Sequence, residues 1–179
     1  MKIIAINGSP RKGNTDFMLN VILDSAKEKG AEVEIVKLRE KNIKFCSGGD
    51  TCCPVNLKCH IKDDMDEIYL KLEQADIILL ASPTYFSNVT ARMKNFMDRC
   101  NPYWFNKKLK GKKAFLIGVG GSGDKSITEM LDGMKTFARI LEMENIGSYY
   151  AKADKVGELE KNQKVIKELQ DIGKKITEL

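Results

Sequence analysis

The stretch KIIAINGSPRKGNT, residues 2–15, runs from a short apolar, β-branched segment into a turn of small residues, hydroxyls and cations. Directly after it, Phe17, Met18, Val21, Ile22 and Ser25 recur at helical spacing. A buried strand, a tight turn and a helix make the first half of a βα unit. The succession repeats down the chain. EVEIVKL (32–38), DIILLAS (76–82), KAFLIGVG (113–120) and IGSYYA (146–151) read as further strands. Helical faces follow at Met65, Ile68, Tyr69 and Leu72, at Val89, Met93, Phe96 and Met97, at Ile127, Met130, Leu131, Met134, Phe137 and Leu141, and at Ile166, Leu169, Ile172 and Ile176. Five strands alternating with five helices predict an α/β fold with a parallel sheet covered on both faces, because parallel neighbours need helical crossovers.

Composition limits what such a fold can do. With 179 residues, 42% of them hydrophobic, the chain is expected to form a single domain over 1–179. The formal net charge is +5, but Lys and Arg are interleaved with Asp and Glu, so no basic stripe marks a nucleic-acid groove. The N-terminal apolar run ends by residue 7, too short for a signal peptide or a membrane span, and a cytoplasmic location without membrane attachment is expected. Four of the five cysteines, Cys46, Cys52, Cys53 and Cys59, crowd into KFCSGGDTCCPVNLKC (44–59), inside the one long irregular segment, about residues 39–62. In a reducing compartment such a cluster points to metal or redox chemistry before structural disulfides. Cys100 falls on an apolar helix face and reads as core.

In an open parallel sheet, ligands bind at the carboxyl ends of the strands. After the first strand, NGSPRKGNT (7–15) can wrap a phosphate with backbone N–H groups and the Ser9 and Thr15 hydroxyls, Arg11 and the helix end offsetting its charge. The same residues also suit a plain turn with Asn14 or Thr15 as N-cap. It is no Walker loop, since no G-K-[ST] follows, and nucleoside triphosphate chemistry is disfavoured. After the third strand, Tyr85 and Phe86 sit among Thr84, Ser87 and Asn88, placed either to hold a flat heteroaromatic ligand or to fold back over the core. After the fourth, GVGGSGD (118–124) lets backbone approach a planar ring. Gly118, Gly120 and Gly123 spell G-x-G-x-x-G, yet the dinucleotide fingerprint belongs after the first strand. Together the three loops describe a site for a phosphorylated, flat cofactor.

In this order and spacing, GSPRKGNT, SPTYFSNVTARMKNFMDR and GVGGSGD resemble the flavodoxin-like NADPH-dependent FMN reductase family, and in particular its iron–sulfur flavoprotein branch, from residue 1 to about 150. The resemblance implies a flavodoxin-like three-layer sandwich with strand order 2-1-3-4-5. It implies FMN with its phosphate at Ser9, Arg11, Asn14 and Thr15, its ring along Pro83, Thr84, Tyr85, Phe86, Ser87 and Asn88, and Gly120 and Gly121 on the other side. It also implies a homodimer or homotetramer, in which the helix carrying Lys94, Asp98 and Arg99 resembles the segment that builds the interface; Asp98 and Arg99 equally suit a solvated ion pair. The branch carries a C-x2-C-x2-C-x(4–7)-C cluster motif followed by an acidic pair. Cys46, Cys52, Cys59, Asp63 and Asp64 fall in register, but Gly49 stands at the second cysteine, and the spare Cys53 adjoins Cys52. An iron–sulfur cluster, zinc, a disulfide or reduced thiols remain open, with His60 as a further ligand candidate.

The implied reaction is hydride transfer from NAD(P)H to FMN N5, with electrons then passed to a quinone, a second flavin or another small acceptor. No Ser-His-Asp set is available and no cysteine stands six residues before an arginine, so hydrolysis is not expected. No residue is singled out as catalytic acid or base. Tyr103, Trp104 and Phe105 either shape an acceptor pocket or pack at an interface or core. Two other classes stay open: a flavodoxin-like or iron–sulfur electron carrier that does not use NAD(P)H, and a thiol-based redox or metal sensor on the same fold. The basic charge balance argues against the first, and the intact phosphate-loop residues against the second.

Overall fold

The structure, a computed structural model, describes residues 1–48, 52–121 and 123–179. Strands β1 (Lys2–Asn7), β2 (Glu32–Lys37), β3 (Ile77–Pro83), β4 (Lys113–Gly120) and β5 (Glu144–Lys152) form one parallel sheet in the order β2-β1-β3-β4-β5. This is the expected 2-1-3-4-5 order of a flavodoxin-like fold. Side chains alternate across a strand, so each apolar run feeds two cores. Ile3, Ala5, Ile77, Leu79 and Ile117 face α1 (Asn14–Glu28) and α7 (Gln163–Ile176), meeting Met18, Leu19, Ile22 and Leu169. Ile4, Ile6, Ile78, Leu80 and Leu116 face α3 (Met65–Gln74), α4 (Ala91–Arg99) and α6 (Asp124–Ile140), meeting Ile68, Met93, Phe96, Ile127 and Met134. Gly173 lets α7 lie against α1: a Cβ there would stand 2.3 Å from the Ile22 carbonyl oxygen. No helix among the described residues is long and apolar enough to cross a membrane.

Two short helices, α2 (Cys52–Asn56) and α5 (Pro102–Asn106), add to the five read from the sequence. Five residues make too few turns to show a helical period, which is why neither was legible. β5 also begins earlier than its apolar run, at Glu144, because as the edge strand it keeps polar residues in water.

The long segment after β2 is not loose at its stem. The Asn42 N–H donates to the Asp64 carboxylate at 2.7 Å, and the Asp64 N–H donates to the Asn42 carbonyl at 3.3 Å. Beside this closure, Arg99 is 1% exposed and grips Asp63 with both terminal nitrogens. The same guanidinium donates to the Lys44 carbonyl at 2.8 Å and, more weakly, to that of Ile61 at 3.4 Å, so α4 holds both arms of the segment. The solvated Asp98–Arg99 pair is therefore overturned. Asp98 pairs with Lys94 on the surface, while Arg99 turns inward, because a buried guanidinium needs a carboxylate and carbonyls around its fork.

Burial pushes the Asp63 carboxyl upward, but Arg99 and the N–H groups of Lys44 and Met65 outweigh it and hold the group below its ordinary 3.8. A lowered folded-state value stabilises the fold above pH 3.8, and that contribution fades as pH falls through the lowered value. Removing one partner of a buried pair leaves the other charge uncompensated, so Asp63→Asn is expected to cost about 3–5 kcal/mol in urea unfolding at pH 7. The difference from wild type should shrink in acid; a loss that is small at pH 7, or independent of pH, would show the pair to be solvated.

Candidate functional site

A cleft of about 380 Å³ opens at the carboxyl ends of the strands, walled by the segments after β1, β3, β4 and β5. Two of its walls are tied together by one buried threonine outside the cleft. Thr90 caps α4 by accepting from the Met93 N–H at 3.2 Å, donates its hydroxyl to the Gly8 carbonyl at 2.6 Å, and sends its own N–H to the Ser82 hydroxyl at 3.2 Å. The turn after β1 is thereby fixed to the end of β3. Gly8 is required there, since a Cβ would lie 2.8 Å from that of Met93.

Within that turn the Ser9 hydroxyl donates to the Arg11 carbonyl at 2.7 Å, and the Ser9 N–H goes to the Asn7 side chain at 2.9 Å. α1 then starts after Gly13 with no side-chain cap. The reading of Asn14 or Thr15 as an N-cap is corrected, because both already lie inside the helix. Asn14 is instead bound to the segment after β5, donating to the Lys155 carbonyl at 2.8 Å and accepting from the Leu159 N–H at 3.4 Å. Ser9, Arg11, Asn14 and Thr15 all line the cleft, but the Ser9 and Asn14 side chains already hold protein partners. Arg11 and the first turn of α1 form its electropositive side.

After β3, Pro83, Thr84 and Tyr85 line the cleft, whereas Phe86, Ser87 and Asn88 lie outside its walls. Tyr85 and Asn88 exchange backbone bonds of 2.8 and 3.0 Å around a two-residue turn, with φ of 51° at Phe86 and 58° at Ser87. This is the left-handed pair of a type I′ turn, and neither residue is glycine. Tyr85 and Phe86 do not fold back over the core: the first is 46% exposed and the second fully so. Ser126 on α6 pins the turn through hydrogen bonds with Thr84 and Ser87.

Gly120 and Gly121 border the cleft after β4, and the protein itself fills the room their missing side chains leave. A Cβ on Gly120 would meet the Thr84 methyl at 2.3 Å, and one on Gly121 the Asp154 carboxylate at 1.5 Å. Asp154 belongs to a fourth wall that was not singled out from sequence. The Ala153 N–H donates to the Gly120 carbonyl at 3.1 Å, and Ala153, Asp154 and Val156 all line the cleft. Glu158 holds this segment by accepting the N–H groups of Lys155 and Asp154 at 2.9 Å each, which lowers its own pKa. The position of this segment, at the carboxyl end of a strand, was the signal that could have found it.

The thiols stand elsewhere, around the junction of α4 and α5. Cys46 is exposed and lines a separate groove with Met97, Cys100 and Trp104. Cys53 is buried with its sulfur 3.6 Å from that of Cys52; burial first, and then this neighbour, pushes its thiol up to about 11. Cys59 lines another groove, beside Tyr69 and Tyr103. Position 49 lies outside the described residues. Among those described, no three His, Cys, Asp or Glu side chains gather closely enough to hold a metal ion. Cys100 is core, as read, and so is Tyr103, which packs edge-on against Tyr69. Trp104 and Phe105 do not line the cleft.

The family model for NADPH-dependent FMN reductase matches residues 1–157. An iron-sulfur flavoprotein of Archaeoglobus fulgidus is 46% identical over 113 residues, 63% of this chain and only about half, 51%, of that protein's length. Another from Methanocaldococcus jannaschii is 39% identical over 153 residues, 82% of this chain and 75% of the relative. Among solved structures, a flavone reductase superposes with a TM-score of 0.78 at 24% identity, over 99% of this chain and 62% of that one. Since the family match takes in all four walls of the cleft, from Ser9 to Val156, the chain belongs to the NADPH-dependent FMN reductase family.

Proposed function

We propose that the cleft binds FMN and that the chain is an NAD(P)H-dependent oxidoreductase, a cytoplasmic homodimer or homotetramer that passes electrons to a small acceptor such as a quinone or a second flavin. The observation that carries this reading is the start of α1, whose first turn has no side-chain cap and borders the cleft beside Arg11 and Thr15. Uncapped N–H groups at a helix start, next to a guanidinium, suit a terminal phosphate. Pro83, Thr84 and Tyr85 with Gly120 and Gly121 would flank the ring, and the exposed Phe86, Ser87 and Asn88 would reach it only from outside the walls. The family description and the relatives' names support the flavin.

When bound, FMN supplies a carrier that accepts a hydride and gives up electrons to a second substrate. The protein's part is position and charge. Arg11 would neutralise the phosphate, the pinned turn at Tyr85 would fix the ring, and Asp154 and Val156 would narrow the entry beside the start of α1. No side chain is assigned to hold or move a proton.

The iron–sulfur cluster implied by the relatives' names does not fit this donor set. A four-iron cluster takes four thiolates, one to each iron. Here Gly49 replaces one cysteine of the motif, and the Cys52 and Cys53 sulfurs, in contact at 3.6 Å, are placed to meet one metal rather than two. No electron step is assigned to a cluster.

Titration with FMN is expected to shift the flavin absorbance and change its fluorescence at micromolar concentrations; failure to bind FMN while unrelated mononucleotides bind would defeat the reading. Arg11→Ala should weaken FMN by roughly one to two decades, the value of a charge-assisted contact, and leave riboflavin nearly unchanged. Iron and acid-labile sulfide, assayed after anaerobic preparation, should fall short of one four-iron cluster per chain and rise in Gly49→Cys. Four irons in the unmodified protein would refute the donor-set argument.

A further inference from the structure

We propose that Asp154 is a flavin-binding residue, whose carboxylate accepts a hydrogen bond from the part of the ligand that carries no phosphate, a ribityl hydroxyl or the ring imide. The proposal rests on the reading of the cleft as an FMN site and adds to it a residue from outside the three motif loops. Asp154 lines the cleft, and its carboxylate has no hydrogen-bond or ion-pair partner among the described residues. The nearest lysine before it in sequence, Lys152, is paired instead with Asp124 at 3.0 Å.

Its placement is built rather than incidental. Gly121 leaves the space the carboxylate occupies, and a Cβ at 121 would force the carboxylate out of that position. The backbone on both sides is tied down, by the Ala153 bond to Gly120, by Glu158 on the N–H groups of Asp154 and Lys155, and by Asn14 on the Lys155 carbonyl. The side chain itself is exposed, and it is the fixed backbone that keeps it at the cleft and limits the freedom left to lose on binding.

Chemistry then selects what it meets. An ionised carboxylate only accepts hydrogen bonds and repels phosphate, so although its segment packs against the start of α1, its own partner is a donor rather than the phosphate. The cleft thus offers groups suited to an anion, at Arg11 and the start of α1, and one suited to a donor, at Asp154. FMN offers both: a phosphate, and hydroxyl and imide donors elsewhere.

Two flavins and four proteins separate the possibilities. FMN and riboflavin are titrated by fluorescence against wild type, Asp154→Ala, Asp154→Asn and Arg11→Ala. Asp154→Ala should lose about tenfold or more in affinity for both flavins to the same extent, as a lost hydrogen bond to a charged group does. Asp154→Asn, which keeps the shape and a neutral acceptor, should lose less but measurably for both. Arg11→Ala should lose FMN alone. The proposal is overturned if Asp154→Ala leaves both affinities unchanged, if it affects FMN without riboflavin, or if Asp154→Asn equals wild type, which would make the side chain only a filler beside Gly121. Wild type that binds neither flavin would remove the functional reading itself, whereas wild type that binds FMN with Asp154 silent removes only this assignment.

Discussion

The grip of Arg99 on Asp63 decides how the segment between β2 and α3 is held against α4. Taking both charges out of water is costly, and their attraction offsets that cost only when the geometry is good and further hydrogen bonds are made. Here both terminal nitrogens are met, by two carboxylate oxygens and the Lys44 carbonyl, with the Ile61 carbonyl at longer range, while Nε has no partner among the described residues. The consequence is definition more than stability. A segment of more than twenty residues leaves the sheet after β2 and returns at α3, and its two arms are kept together because only one arrangement satisfies the guanidinium. The acidic pair has divided labour: Asp63 neutralises Arg99, and Asp64 closes the stem on Asn42.

The cleft follows the same economy of fixed backbone. Its walls come from three crossovers and the segment after β5, and they are fastened to one another by hydrogen bonds between separate elements: Thr90 to Gly8, Thr84 to Ser126, Ala153 to Gly120, Asn14 to Lys155. Little in the site is left to a free loop. The two left-handed residues at the tip of the Tyr85 turn carry strain of order 1–3 kcal/mol each, tolerated because the flanking bonds determine the turn from outside.

The parallel sheet was legible because β-branched runs and helical faces alternate cleanly, with the central strands buried on both sides, while its strand order came from the family resemblance. The cleft was legible wherever a loop announced itself by composition, as around Arg11, Tyr85 and Gly120. What sequence could not supply were partners distant along the chain. Asp98 beside Arg99 suggests a local pair, yet the real partner lies 36 positions upstream. Asn14 looked free to meet a phosphate, but its amide is taken up by Lys155, 141 positions away. Asp154 sits in a polar stretch with nothing to mark it until Gly121 is seen to make room. No period or motif encodes such contacts, because they are properties of the folded surface.

α4 begins at Thr90, under the cleft, and ends at Arg99, in the stem of the cysteine segment. Its nine residues make a strut of about 14 Å, too short to bend appreciably. It is anchored by buried hydrogen bonds at both ends. The turn after β1 and the stem of the cysteine segment are therefore fastened to opposite ends of one short helix, and its length sets the spacing between them.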